Sequence, residues 1–93
     1  MLEIFDFNSV GGSLIVDARA AVTFRGIASA NLAIGFSNVA ENLSLYVKVD
    51  PNSFTVTFGS VTFPTGTTFP TNADIVVRVT KVSGALYGEF LNP

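Results

Sequence analysis

Apolar and polar residues alternate along most of this 93-residue chain, and a period of two places successive side chains on opposite faces of a β-strand. The longest run covers residues 13–25, where every even-numbered residue is apolar. A strand of that length would extend about 40 Å, which is longer than most strands. We therefore expect it to bend or to cross between sheets near residues 18–21, although the alanines there are also compatible with a helix.

Turn residues separate this run from other alternating segments. Glycines predict a loop over residues 8–12, Gly26 interrupts the alternation, and polar residues predict a turn over 37–42. Residues 43–58 alternate on either side of an Asp-Pro-Asn-Ser turn at 50–53, which predicts an antiparallel hairpin. Further short strands are expected over residues 2–7, 28–36, 61–63, 74–80 and 85–91.

Together these segments predict an all-β fold, a small β-sandwich of seven to eight antiparallel strands. A jelly-roll and an Ig-like Greek key topology are both compatible with the strand spacing. A chain of this length can form one hydrophobic core, so we expect a single domain over residues 1–93. Within the later strands, the alternation directs five apolar residues toward that core: Leu45, Val47, Val56, Val77 and Val79.

The chain contains no histidine and no cysteine, the residues that supply most general bases, soft nucleophiles and zinc ligands. Asp50 and Asn52 come nearest to a calcium loop, but the further acids of such a loop are missing. We therefore predict no enzymatic activity, no catalytic residue, no metal site and no cofactor. The carboxylates are expected to be solvated charges at strand ends or on outward positions: Glu3, Asp6, Asp17, Glu41, Asp50, Asp74 and Glu89.

Charges are few and scattered. Seven acidic and five basic residues give a net charge of −2, and the basic residues do not cluster, so nucleic acid is not an expected partner. No apolar stretch has the length of a membrane span, and residues 1–6 lack the basic start of a signal peptide. We therefore expect synthesis in the cytoplasm and no membrane association.

The low charge content also bears on assembly. Charged residues make up 13% of the chain, against about 25% in typical globular proteins. The cores of protein interfaces are depleted in charge, so we expect another subunit to cover part of the outer surface. This predicts a homo-oligomer, a subunit of a larger protein lattice, or both.

One short motif is repeated, because Thr62-Phe63-Pro64-Thr65 recurs as Thr68-Phe69-Pro70-Thr71. Proline cannot donate to a strand ladder, so this stretch predicts a loop or a sheet edge. In one interpretation both phenylalanine rings turn inward and cap one end of the core. In the other, Phe63, Pro64, Phe69 and Pro70 form an interface, because aromatic anchors rimmed by small polar residues suit partner binding.

Two tyrosines support an alternative function. Tyr46 shares the polar face of its strand with Ser44 and Lys48, and Tyr87 shares a face with Glu89, so both rings are predicted to be exposed. Exposed tyrosines can stack on sugars because each ring has a flat apolar face and a polar edge. They can also be isolated surface residues.

We therefore predict a non-enzymatic structural subunit that acts through oligomeric protein–protein contacts. Its composition, which is rich in Thr, Ser, Asn and Gly and lacks cysteine, suggests a small virion structural protein. Such a protein would stabilise or decorate a phage capsid, or form part of a tail or spike. The alternative is a glycan- or protein-binding β-sandwich module of an extracellular assembly, with Tyr46 and Tyr87 as stacking residues.

Overall fold

The computed structural model describes residues 4–91 and contains seven β-strands in this range, which confirms the all-β class. Hydrogen bonds join them into one curled sheet in the order β1-β2-β3-β6-β7-β5, with β4 also paired to β2. The strands are β1 (Ile4–Asp17), β2 (Thr23–Ser37), β3 (Ser44–Asp50), β4 (Val56–Phe58), β5 (Val61–Thr62), β6 (Ile75–Val82) and β7 (Ala85–Phe90).

The sheet is mixed, whereas the sequence predicted antiparallel strands. The pairs β1–β2, β2–β3, β2–β4 and β5–β7 are parallel, and β3–β6 and β6–β7 are antiparallel. An antiparallel sandwich with jelly-roll or Greek key topology is therefore not confirmed. Alternation predicts where a strand lies and which face is buried, but it carries no information about the direction of the neighbouring strand.

The connection between β1 and β2 shows how the chain makes parallel pairs without a helical crossover. Ile4 pairs with Thr23 and Asp17 with Ser37, yet only residues 18–22 join the two strands. Such a link spans at most about 20 Å, whereas a straight 14-residue strand would be about 45 Å long. The largest dimension of the molecule is only 33 Å. The strand must therefore curl until its end returns near its start, and its curvature replaces the usual crossover.

Bulges and special backbone conformations produce this curl. The β1–β2 register shifts between Asp6 and Asn8 and again between Val10 and Gly12. Asn8 and Gly12 have φ of 61° and 83°, in the left-handed region that asparagine and glycine tolerate best. The segment predicted to be a loop at residues 8–12 is thus a bent part of β1, because its irregular residues remain compatible with pairing to β2.

The predicted hairpin over residues 43–58 is wrong. Its two strands, β3 and β4, do not pair with each other, because each runs parallel to a different part of β2. At the predicted turn, the Asn52 N–H donates to the Asp50 carboxylate (2.9 Å) and the Asn52 side chain donates to the Ala28 carbonyl oxygen (3.3 Å). These bonds form a corner after which the chain again runs parallel to β2, so the chain does not fold back on β3.

The core lies on the inner face of the curled sheet. All five core residues predicted from the alternation are buried. The largest fully buried side chains include Phe24, Leu32, Ile34, Leu45 and Ile75, which come from β2, β3 and β6. The antiparallel β6–β7 hairpin continues the sheet beyond β3, because β6 pairs with β3. The hairpin turn is held by the Glu41 carboxylate, which accepts hydrogen bonds from the Ser83 and Gly84 N–H groups.

Candidate functional site

The two ends of the sheet differ in how much backbone they expose. The outer edge of β1 has no strand partner among residues 4–91, over a strand of 14 residues. At the opposite end of the strand order, β5 is only two residues long and is followed closely by Pro64. A long open edge offers unpaired N–H and C=O groups to another chain, whereas short strands and prolines protect an edge. The β1 edge is therefore the better site for strand pairing.

Apolar side chains surround this edge. Phe5 pairs with Phe24 and contacts its ring at a centroid distance of 6.0 Å, so it lies on the core face, yet 49% of it is exposed. The exposure arises because no described strand covers β1 from outside. A depression of about 190 Å³ opens here, lined by Phe5, Phe7, Leu14, Ile15, Val16, Asp17, Ala20 and Phe24.

Ile15 is the most exposed large apolar residue among those described, at 62%. It pairs with Gly35, and a β-carbon at Gly35 would lie 3.0 Å from Ile15 Cδ1, so the glycine leaves room for this side chain. Ile4, at the start of the same strand, is 54% exposed. We call this surface the open end: the outer edge of β1 with the side chains of Ile4, Phe5, Phe7, Leu14 and Ile15.

The charges at the open end are paired. Asp6 lies 3.4 Å from Arg25, and Asp17 lies 3.2 Å from Arg19. Hydrogen bonds from the Arg19 side chain, the Arg19 N–H and Asn38 lower the pKa of Asp17 to about 2. These bonds also hold the corner through which the chain leaves β1. The open end is thus apolar and electrically balanced.

The predicted interface segment lies elsewhere. The Phe69 ring contacts the rings of Phe58, Phe63 and Phe90 at centroid distances of 5.1–5.4 Å. Phe63 and Phe69 are half-buried, and a β-carbon at Gly88 would overlap the Phe63 ring, so the glycine leaves room for this ring. This packing agrees with the interpretation in which the rings cap the core.

The prolines of the same segment are more accessible than the rings. Pro64 is exposed and Pro70 is half-buried, and both line an open groove of about 700 Å³ beside Phe69 and Phe90. A role in partner binding for Phe63, Pro64, Phe69 and Pro70 stays a prediction.

The structure brings the two predicted tyrosines to one face. Tyr46 lies opposite Arg78 and Tyr87 opposite Thr80, on the outer face of β3, β6 and β7. They are 40% and 49% exposed. The surface near them carries an ion pair between Arg78 and Glu89 and a hydrogen bond of 2.9 Å between the Ser44 and Thr80 hydroxyls. The sequence predicted the exposure of each ring but not their common face.

The carboxylates form no arrangement suited to metal binding within residues 4–91. Glu3 lies outside the described residues. Asp6, Asp50 and Asp74 line one shallow depression of about 430 Å³, where Arg25 and Lys48 accompany them. Lys48 lies 3.7 Å from Asp74, so this surface is a set of exposed ion pairs of alternating sign.

Sequence reasoning missed the open end, although one signal for it was present. Residues 14–16 are three consecutive apolar residues, which break the alternation and place Ile15 on the outer face. Residues 4 and 5 are likewise both apolar. Such breaks mark apolar side chains on a face that alternation assigns to solvent.

Among the described residues, no helix has the length and apolar character needed to cross a bilayer. Comparison of the chain with known protein families, with curated proteins and with solved structures finds no match.

Proposed function

We propose that the protein is a non-enzymatic structural subunit that works through protein–protein contacts, with the open end as its main contact surface. The observation that carries this proposal is the coincidence of an unpaired 14-residue edge with exposed apolar side chains. Either feature alone is common on monomers, but together they offer both backbone hydrogen bonds and apolar burial to a partner.

The energetics favour such a contact. Burial of the exposed part of one large apolar side chain contributes about 1–2 kcal/mol, and the open end presents Ile4, Phe5 and Ile15. Asp6 and Asp17 already have cationic partners, so their approach to a second surface leaves no carboxylate without a counter-charge. The low charge content of the chain supports the same function.

As biological context we propose a virus particle, in which the protein would be a capsid-stabilising or decorating subunit or a tail or spike component of a phage. This part rests on composition: few charges, no cysteine, and strands rich in Thr, Ser, Asn and Gly. Electron microscopy of particles made with and without the protein would test it.

Light scattering on a size-exclusion column, at two protein concentrations, tests the contact itself. We expect an oligomer or a concentration-dependent assembly instead of a single 9.8 kDa species. Phe5→Asp should shift the population toward monomer. Tyr87→Asp is the matched control, because Tyr87 is equally exposed (49%) but lies far along the strand order on β7. Equal effects of the two variants would argue against the open end, and a monomer at both concentrations would argue against self-assembly.

The shared face of Tyr46 and Tyr87 favours glycan binding as a second candidate function. Two exposed rings with hydroxyl, guanidinium and carboxylate groups nearby can combine stacking with hydrogen bonds to a sugar. Retention on a glycan array, compared between the wild type and the variants Tyr46→Ala and Tyr87→Ala, would test this candidate. Unchanged retention, or no retention by the wild type, would reject it.

A further inference from the structure

We infer that the partner at the open end is a second copy of this chain, and that the two β1 strands pair antiparallel across a two-fold axis. This inference rests on the proposed function and names the partner. Such a pair would extend the sheet from one copy into the other, and the two apolar depressions would meet at the junction.

The contrast between the two sheet ends favours a two-fold contact over a head-to-tail one. Head-to-tail assembly would require β1 to pair with another terminal strand of the sheet, and β4 and β5 have only three and two residues, with Pro64 close after β5. A two-residue edge beside proline offers few hydrogen bonds. The long edge of β1 can instead pair with its own copy, and a two-fold axis across the edge makes the strands antiparallel.

Only part of β1 is regular enough to pair in this way. Residues 12–17 run along β2 without a register shift, whereas two shifts and the left-handed Asn8 interrupt the earlier residues. Bulges and bends disturb strand pairing, so we assign the contact to residues 12–17.

Ile15 determines where the axis falls. In an antiparallel pair centred on Ile15, the two Ile15 side chains lie directly opposite each other on the outer face, and Ser13 lies opposite Asp17 of the other copy. This register buries part of the Ile15 side chain, the most exposed large apolar residue of the described chain, against its copy. The Ser13 hydroxyl can donate to the facing carboxylate, and Asp17 keeps its own bond to Arg19.

Because the chain has no cysteine, a single introduced thiol reports on this geometry without interference. Residues directly opposite in an antiparallel pair have Cα atoms about 4.5–5.5 Å apart, within reach of a disulfide. Under mild oxidation we expect Ile15→Cys to form disulfide-linked dimers at least about tenfold faster than Ile27→Cys. Ile27 is the matched control, since it is an isoleucine of β2 that is 44% exposed.

A second variant pair measures the equilibrium. Ile15→Lys places like charges opposite each other, so we expect the dimer dissociation constant to rise by about tenfold or more, with little change for Ile27→Lys. Circular dichroism checks that both variants remain folded. If Ile15→Lys fails to fold, the test rests on the rates at which Ile15→Cys and Ile27→Cys form disulfide-linked dimers.

The outcomes separate the two proposals. A wild type that stays monomeric at all concentrations overturns the β1–β1 pair and leaves contact with a larger protein lattice as the remaining form of the proposed function. An oligomeric wild type in which Ile15→Cys links no faster than Ile27→Cys, or in which folded Ile15→Lys assembles normally, keeps the proposed function and overturns the β1–β1 pair.

Discussion

The curl of β1 over β2 leaves no free space for a side chain at Gly26, so substitution of this glycine is a sharp test of the fold. A β-carbon at Gly26 would overlap the Phe7 ring and lie 2.7 Å from the backbone oxygen of Asn8. The ring can rotate away, but the carbonyl oxygen belongs to the strand that curls over β2 and moves only with it. We therefore expect Gly26→Ala to strain the β1–β2 contact at the first register shift.

The change in the free energy of unfolding caused by Gly26→Ala is the sum of two opposing effects. Overpacking costs about 1–3 kcal/mol. Alanine also has less conformational freedom than glycine in the unfolded chain, which stabilises the folded state by about 0.4–1 kcal/mol where the native φ suits alanine. We expect Gly26→Ala to lower the free energy of unfolding by about 1–2 kcal/mol, which in a domain of this size shifts the thermal midpoint down by about 4–8 °C per kcal/mol.

Urea unfolding followed by circular dichroism measures this change, with Gly59→Ala as the control. The nearest atom to a β-carbon at Gly59 is the Ile34 carbonyl oxygen at 3.9 Å, an ordinary contact, so this variant should be neutral or slightly stabilising. A double-mutant cycle with Phe7→Leu should give a coupling energy of about 0.5 kcal/mol or more, because a smaller side chain relieves the overlap. Equal stability of Gly26→Ala and Gly59→Ala would refute the packing of Phe7 on Gly26 and, with it, the described curl.

Three further predictions concern the acid response, the core and the aromatic cluster. Because the pKa of Asp17 is lowered to about 2, its hydrogen bonds stabilise the fold above pH 4 and are lost as the pH falls toward 2. The thermal midpoint of the wild type should therefore drop more steeply over this pH range than that of Asp17→Asn. Parallel profiles of the two proteins would contradict the lowered pKa. Leu45→Ala, at a fully buried site, should lower the free energy of unfolding by about 2–5 kcal/mol in urea titrations, and a loss below about 1 kcal/mol would show that the site is not core. Phe69→Asp should lower the free energy of unfolding by about 2 kcal/mol or more because three rings contact Phe69. A stable variant that assembles poorly would instead favour the interface predicted for Phe63, Pro64, Phe69 and Pro70.

The aromatic cluster and the open end suggest different roles for the two ends of the sheet. At one end, Phe58, Phe63, Phe69 and Phe90 pack against each other, and the glycine at position 88 makes room for the Phe63 ring. At the other, Phe5 contacts one ring among the described residues, that of Phe24, and stays half exposed. The rings at one end thus pack mainly against each other, whereas the Phe5 ring at the other end keeps about half of its surface available to a partner.

Sequence alone was sufficient for the properties that depend on neighbouring residues. Alternation identified Leu45, Val47 and Val79 as core residues because side-chain direction in a strand is decided by the local backbone. It identified Tyr46 and Tyr87 as exposed for the same reason. The Asp-Pro-Asn-Ser turn was also found, since its side chains bond to nearby backbone groups.

Strand direction, register and the free edge were decided only in the tertiary structure. Residues 43–58 contain two strands and a turn, but whether the strands pair with each other or with β2 depends on β2 residues that lie more than 20 positions earlier in the chain. The structure of residues 8–12 is also decided by distant residues. Their glycines permit a loop or a bulge equally well, and pairing with β2 selects the bulged strand. The open end arises from the completed pairing, because an edge is a property of the whole sheet: β1 is exposed only because no other described strand lies beyond it.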